Sequence, residues 1–256
     1  MKKSPGRRLA RWGLIALAAA LLVTALPVIL MRWVDPWYSA FMLGDALDAT
    51  RGGKENYRTD YRWVDLEKIS PHAAVAVIAA EDQYFPFHTG FDFKSIREAI
   101  RHNEKQARKR RPRIRGASTI TQQVAKNLFL WSGRGYVRKG LEAYFTLLIE
   151  ITWPKERILE VYLNIAQFGD GIYGVEAASQ RFYRKPASRL NREEAAVLAA
   201  VLPNPITFKV QAPSHYVIKR RDWILAQMSG LGGPNYLREL ENPTAPPRAT
   251  RKAANR

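Results

Sequence analysis

The chain has 256 residues, with 41 Lys and Arg against 23 Asp and Glu, and it contains no cysteine. This length fits one large domain or two small ones, and the lack of cysteine excludes a disulfide framework and a thiolate metal site. The net charge of +18 indicates anionic partners, whether a phospholipid, a pyrophosphate, a wall polymer or a nucleic acid.

The N-terminal segment predicts a membrane anchor. No charged residue interrupts Trp12 to Met31, and about 20 apolar residues suffice to cross a bilayer. Five basic residues precede this span, whereas only Arg32 and Asp35 follow it closely. The asymmetry predicts that the N-terminus stays in the cytoplasm and that the body of the chain crosses the membrane. A cleaved signal peptide is the alternative, but the span is long for one and no small-residue cleavage pattern ends it.

The elements after the anchor are predicted to be mainly helical. Ser70 and Pro71 provide an N-cap and a first-turn proline for a helix over Pro71 to Asp82, and Asn191 caps another over Arg192 to Leu202. No stretch shows the sustained alternation of a strand, and the glycines between residues 169 and 174 are interpreted as a tight loop. Five more helices are predicted, over Phe93 to Arg101, Thr121 to Leu130, Val137 to Thr152, Lys155 to Ile165 and Tyr216 to Met228.

The segment from Lys105 to Arg115 is strongly basic, which suggests nucleic acid as one possible ligand. A solvated loop, or contact with lipid headgroups or an anionic substrate, is favoured instead, because the domain is predicted to lie outside the cytoplasm. The chain is therefore divided into a cytoplasmic basic tail (1–11), a transmembrane helix (12–34), a juxtamembrane connector (35–62), one helical domain (63–241) and a disordered basic tail (242–256).

The sequence around Glu81 and Asp82 is the first candidate for chemistry. These two carboxylates close a run of small and apolar residues from Ala73 to Ala80, and aromatic residues and His88 follow at once. A carboxyl group at the end of an apolar helix is partly desolvated, which suits it to proton transfer. The alternative is a pair of solvated residues at a helix end, and this segment alone does not decide between the two. The histidines show no metal-ligand spacing, so hydrogen bonding is their expected role.

Two further segments carry polar groups suited to an anion. Gly116 to Asn127 places hydroxyls and amides in a turn that enters a helix, where exposed backbone N–H groups, Ser118 and Thr119 could hold an anion such as phosphate. A simple capping segment is the alternative there. Helical spacing then puts Arg138 and Lys139 on the same face as Glu142. A surface ion pair is the alternative, but the helix continues apolar, so these charges are predicted to point into a cleft or a cap.

Five blocks in this order resemble the glycosyltransferase family 51 domain of peptidoglycan polymerases. The resemblance covers roughly residues 63–225, and its first two blocks are the most specific. Ala117 stands where the family has a second glycine, a small-for-small change. The resemblance implies an α-helical, lysozyme-like fold at the bacterial inner membrane, with 63–241 as the glycosyltransferase domain. The blocks are Glu81 to Asp92, Gly116 to Asn127, Arg138 to Glu142, Lys155 to Asn164 and Arg220 to Leu225.

The resemblance also implies an activity and a role for single residues. The family polymerises lipid II into β-1,4 glycan strands. Glu81 matches its general base, which deprotonates the 4-hydroxyl of the acceptor N-acetylglucosamine; that oxygen attacks C1 of the donor N-acetylmuramic acid with inversion and expels undecaprenyl pyrophosphate. Glu142 matches a second glutamate that orients or stabilises the donor side. The family residues that cradle the pyrophosphate are matched by Lys126, Arg138 and Lys139. Further family contacts to the substrate are matched by Ser118 and Gln123.

The implied partners are lipid II, the growing glycan strand and membrane lipids; other cell-wall synthesis proteins are left open, and nucleic acid is not expected. No cofactor or protein-held metal is predicted, because no ligand set is visible, and Mg²⁺ is considered only as an ion on the substrate pyrophosphate. A muramidase or lytic transglycosylase is the main alternative, but its neutral leaving group needs no cationic cradle. A non-catalytic membrane scaffold would explain the charge but not the five blocks.

Overall fold

The computed structural model describes residues 5–107, 116–133, 135–244, 246 and 247. Most of the basic segment (108–115) and most of the predicted tail (245 and 248–256) lie outside the described residues, as do residues 1–4. The described elements are α1 (Pro5–Leu30), α2 (Ala40–Arg51), β1 (Asp60–Tyr61), α3 (Pro71–Glu81), α4 (Phe93–Ala107), α5 (Ile120–Phe129), α6 (Tyr136–Thr152), α7 (Lys155–Ile165), β2 (Gln167–Gly169), β3 (Ile172–Tyr173), α8 (Val175–Tyr183), α9 (Arg192–Val201), α10 (His215–Gly230) and α11 (Arg238–Glu241).

Helix α1 contains the predicted membrane span. Its stretch Arg11–Leu30 is 20 residues long and apolar enough to cross a bilayer, and almost none of it is buried by the rest of the chain. The helix itself begins earlier, at Pro5, inside the segment predicted as a basic tail. Near its C-terminal end α1 packs against α6, so the span is attached to the domain by more than the chain connection.

Helix α3 forms the centre of the core. Ser70 caps it by accepting the N–H of His72, and Pro71 occupies its first turn, where a missing N–H costs nothing. Every residue from 73 to 79 is buried, as expected for a helix that is apolar on all sides. It packs against α9 and α10, while α5 packs against α6 and α7. The buried helix therefore delivers Glu81, its last residue, to the edge of the core.

The prediction of a mainly helical domain is confirmed, and the seven helices predicted after the anchor are present. Most of their ends agree within two residues, but α4 continues to Ala107, six residues beyond the predicted Arg101. Residues 102–107 contain almost no apolar side chain, so the spacing of hydrophobic residues does not indicate that the helix continues there. Three helices of the described residues were missed: α2 inside the connector, α8 after the glycine-rich loop and the one-turn α11 near the end of the domain.

The glycine-rich loop is part of a small sheet. Strand β3 lies between β1 and β2, pairing parallel with the first and antiparallel with the second. Each strand has only two or three residues, too few for an alternating pattern to be visible in the sequence. Gly174, with φ +83°, ends the hairpin, and a Cβ there would lie 2.5 Å from the Asn164 carbonyl oxygen. Position 174 therefore requires glycine, because the backbone comes close to the Asn164 carbonyl there. The loop carries no phosphate-binding fingerprint.

Candidate active site

Glu81 is held at the end of α3 by two side chains from distant elements. Gln123 Nε2 on α5 donates to Glu81 Oε2 at 3.1 Å, and Arg220 Nη2 on α10 donates to Glu81 Oε1 at 3.0 Å. Both oxygens are thus bonded within the protein, yet the Glu81 side chain keeps 15% of its surface exposed. A carboxylate with a fixed orientation that is still reached by solvent is suited to accept a proton from a bound ligand.

Gln123 is itself oriented by a buried tyrosine. Tyr162 on α7 donates its hydroxyl to Gln123 Oε1 at 3.2 Å, which leaves the amide nitrogen of Gln123 directed at Glu81. Burial raises the pKa of Tyr162 well above its usual value, so this hydroxyl remains a donor throughout the physiological range. The chain Tyr162–Gln123–Glu81 therefore joins three helices through oriented hydrogen bonds.

Asp82, the neighbouring carboxylate, has a structural role. Its side chain is buried and accepts the backbone N–H of Ile120 at 3.0 Å, and both of its oxygens lie 3.0 Å from His88 Nε2. The first residue of α5 is thereby tied to the end of α3. Because the Asp82 side chain is only 4% exposed while that of Glu81 is 15% exposed, Glu81 is the member of the pair that a ligand can reach. His88 has the hydrogen-bonding role expected from the sequence.

The turn before α5 is a capping segment. Thr119 Oγ1 accepts the N–H of Gln122 and donates to the Gly90 carbonyl at 2.7 Å, while the Gln122 side chain accepts the Thr119 N–H. The idea that these backbone N–H groups hold a phosphate is therefore not supported, because capping and Asp82 occupy several of them. Ser118 is exposed just ahead of this turn.

Glu142 forms the centre of the second charged cluster. Arg138 Nη1 donates to Glu142 Oε2 at 2.9 Å, and Lys139 Nζ contacts Glu142 Oε1. The Glu142 side chain is only 4% exposed. A surface ion pair is thereby excluded, since a buried carboxylate needs its partners to offset desolvation. Lys139 is half-exposed, so its ammonium can still reach an anionic ligand, whereas the Nε of Arg138 is buried and has no hydrogen-bond partner among the described residues.

Lys126 connects the two clusters. Burial lowers its pKa; the charges of Arg138 and Lys139 act in the same direction, whereas those of Glu142 and Glu81 oppose it. Its ammonium lies 5.0 Å from the centre of the Phe41 ring on α2. The charges of both glutamates thus act on one partly buried cation. Its position makes one site out of residues that α3, α5 and α6 contribute separately.

The structure therefore brings together six of the seven residues predicted for the site. Within the described part of the chain, no hydrogen bond joins the seventh, Ser118, to either glutamate. The six are Glu81, Gln123, Lys126, Arg138, Lys139 and Glu142. Within the described ranges, no three acidic or histidine side chains lie together in a way that could hold a metal ion.

Arg220 is the site residue that sequence reasoning missed. The sequence places Arg220 in the last of the five blocks and on the predicted helix from Tyr216 to Met228, but it assigns this side chain no role in the site. A signal was present, however: no acidic residue stands three or four positions away from Arg220 on its helix. An arginine that is only 20% exposed and lacks a local partner needs a distant carboxylate, and that carboxylate is Glu81.

Comparison with known proteins agrees with this site and fold. Residues 48–229 match the family model described as Transglycosylase, so the chain belongs to the transglycosylase family. The predicted family and the predicted lysozyme-like helical fold class are thereby confirmed. All of the residues discussed above from Glu81 to Arg220 lie inside the matched range.

Individual relatives are similar over most of their length. Two proteins named "Biosynthetic peptidoglycan transglycosylase", from Escherichia coli O1:K1 / APEC and Escherichia coli strain SMS-3-5 / SECEC, are each 58% identical over 202 residues, covering 79% of this chain and 82% of the relative. A protein of the same name from Xylella fastidiosa strain 9a5c is 51% identical over 224 residues, covering 88% and 90% respectively.

Proposed function

We propose that this chain is a membrane-anchored peptidoglycan glycosyltransferase that polymerises lipid II into β-1,4 glycan strands. The observation that supports this most strongly is the placement of two glutamates with different surroundings around one partly buried lysine. Glu81 is held by Gln123 and Arg220 and stays partly exposed, Glu142 is buried against Arg138 and Lys139, and the charges of both glutamates act on Lys126. The names of the relatives point to the same activity.

Glu81 acts as the general base in this proposal. It takes the proton of the 4-hydroxyl of the acceptor sugar, and the oxygen forms a bond to C1 of the donor sugar while the bond from C1 to the pyrophosphate oxygen breaks. The electron pair of the broken bond leaves with undecaprenyl pyrophosphate, and attack from the opposite face inverts C1. Gln123 and Arg220 hold the base in one orientation, which is the positioning that proton transfer requires.

The cation cluster acts on the leaving group. A pyrophosphate gains negative charge as the glycosidic bond breaks, and fixed cations in a water-poor site stabilise that charge without reorganising. Lys126, Arg138 and Lys139 provide those cations, and Glu142 holds the latter two in place. No protein-held cofactor is part of the proposal; Mg²⁺ would accompany the pyrophosphate of the substrate. A muramidase or lytic transglycosylase is disfavoured, because the departure of a neutral sugar leaves this cluster without a role.

The function is tested by incubating the full chain with labelled lipid II and separating the products by size. We expect glycan polymer and free undecaprenyl pyrophosphate. Short sugar fragments released from existing glycan would instead support a muramidase or lytic transglycosylase. A chain that bound lipid II without converting it would support the non-catalytic scaffold.

The anchor proposal is that α1 spans the inner membrane once, with the N-terminus in the cytoplasm and residues from Asp35 onward in the periplasm. Basic residues before the span and the apolar stretch Arg11–Leu30 support this topology. A C-terminal fusion to a reporter that is active only in the periplasm is expected to be active, and a cytoplasmic reporter silent. The reverse pattern would overturn the topology and leave the enzymatic proposal to the lipid II assay.

A further inference from the structure

The end of the membrane span is held by side chains of the domain. The last carbonyl groups of any helix lack an N–H partner inside the helix. Here the N–H of Arg32, which would normally serve the Val28 carbonyl, donates to the Ile29 carbonyl instead. Trp153 Nε1, from the end of α6, donates to the Val28 carbonyl at 2.7 Å, and Val28 is fully buried.

Arg157 on α7 serves the next free carbonyls. Its Nη2 donates to the Met31 and Val34 carbonyls at 2.9 Å each, and its Nη1 donates to Asp35 Oδ1 at 2.9 Å. The guanidinium lies 5.1 Å from the centre of the Trp63 ring, and the side chain is 10% exposed. A positive group at a helix C-terminus also offsets the helix dipole. One buried arginine thus binds three groups within five residues where the chain leaves the span, and its Nη1 also donates to Glu160 Oε2 on its own helix at 2.6 Å.

The same two helices that hold the anchor also carry the candidate active site. Helix α7 binds the anchor through Arg157 and orients Gln123, the partner of Glu81, through Tyr162. Helix α6 contacts the anchor through the Tyr144 hydroxyl, 2.9 Å from Thr24 Oγ1, and carries Glu142 two residues earlier. Glu142 and the hydrogen-bonded partner of Glu81 are therefore each connected to the span through a single helix, α6 for the first and α7 for the second.

We infer that Arg157 is a positioning residue that couples the membrane span to the catalytic cleft, so that the span sets the height and tilt of Glu81 and Glu142 over the bilayer. This inference rests on the proposed function, since a fixed height matters only for a substrate that is embedded in the same membrane. Arg157 contacts neither Glu81 nor Glu142 and is not proposed to touch the substrate. Its effect on rate comes from where it places the cleft relative to a lipid-linked sugar.

The test compares the full chain and its Arg157→Gln variant in two settings, lipid vesicles and detergent micelles, with lipid II as substrate in both. In vesicles the substrate is held at a fixed depth, so the variant should be slower by about 10- to 100-fold, the cost of small misplacements. In micelles, where no planar bilayer fixes the height, it should stay within about twofold of the parent. Arg157→Lys should be intermediate, because it keeps the charge but lacks the planar guanidinium whose separate nitrogens reach these groups.

Arg181 on α8 provides the matched control. It is exposed, so Arg181→Gln makes the same chemical change away from the anchor and should be neutral in both settings. An equal loss for Arg157→Gln in vesicles and micelles would show a merely structural role and overturn the inference. Equal activity of variant and parent in vesicles would overturn it as well.

A second measurement reports the coupling without any enzymatic activity. The chain has no cysteine, so a Thr24→Cys, Tyr144→Cys double variant carries the only two thiols. A short bismaleimide should cross-link them efficiently, and adding Arg157→Gln should lower the yield several-fold. If the parent chain made no polymer from lipid II, the proposed function would be wrong. If Arg157→Gln left the cross-linking yield unchanged, the inferred coupling would be wrong.

Discussion

Replacing Glu81 by Gln is expected to lower the rate of glycan polymerisation by a factor of about 10² to 10⁴, the usual cost of losing a general base. The amide keeps the size of the side chain and can still accept the hydrogen bond from Arg220, but it cannot take a proton. Binding of lipid II and the thermal unfolding temperature should change little, because the carboxylate lies at the edge of the core. Initial rates with labelled lipid II, together with a binding measurement, check this.

Glu193→Gln is the control for this change. Glu193 is exposed in the first turn of α9, so the same substitution there should leave the rate unaltered. Near-parental turnover by Glu81→Gln would assign the base to another residue. Asp82 is a poor substitute in the structure, because Ile120 and His88 occupy its oxygens; its replacement by Asn should act first on stability.

Removing the charge of Lys126 is expected to have the second large effect. Lys126→Met should lower the polymerisation rate on the order of 10²-fold, the typical loss when one group that stabilises developing charge is removed. The methionine keeps most of the buried stem and its contact with Phe41, so folding should be preserved. The loss should appear in kcat more than in acceptor binding, because the cation is proposed to act on the leaving pyrophosphate.

Lys126 also predicts the alkaline side of the rate–pH profile. Burial lowers the pKa of Lys126; the ammonium is therefore fully charged below that pKa and loses its charge as pH rises through it, earlier than an exposed lysine would. The rate should fall over that same interval. Lys126→Arg should be slower at neutral pH because the geometry changes, but its alkaline decline should move to higher pH, since a guanidinium stays protonated.

Lys68→Met serves as the comparison. The Lys68 side chain is 72% exposed and pairs with Asp65, so its loss should alter neither the rate nor the pH profile. If Lys126→Arg kept the alkaline decline of the parent, the titrating group would be another one. If Lys126→Met polymerised lipid II normally, the donor-site assignment of the cation cluster would be wrong.

Much of this protein could be predicted from local patterns in the sequence. The anchor follows from an uninterrupted apolar stretch with basic residues before it, and α3 follows from its cap, its proline and its apolar run. Arg138, Lys139 and Glu142 could be grouped because helical spacing places them on one face. These inferences depend on neighbours within one turn, which is the range over which a sequence specifies contacts directly.

The tertiary structure decided which partner each polar group has. Asp82 and Glu81 are adjacent in sequence, yet only their tertiary contacts at the end of α3 bury the first and leave the second partly exposed. Arg220 reaches Glu81 across 139 residues, and Arg157 reaches the Val34 carbonyl across 123. Such contacts depend on how helices pack in three dimensions, and a side chain's own sequence neighbours carry almost no record of them. The sequence by itself thus determined the helices, the anchor and the list of candidate residues, whereas packing decided which of the two carboxylates can act and how the site is tied to the membrane.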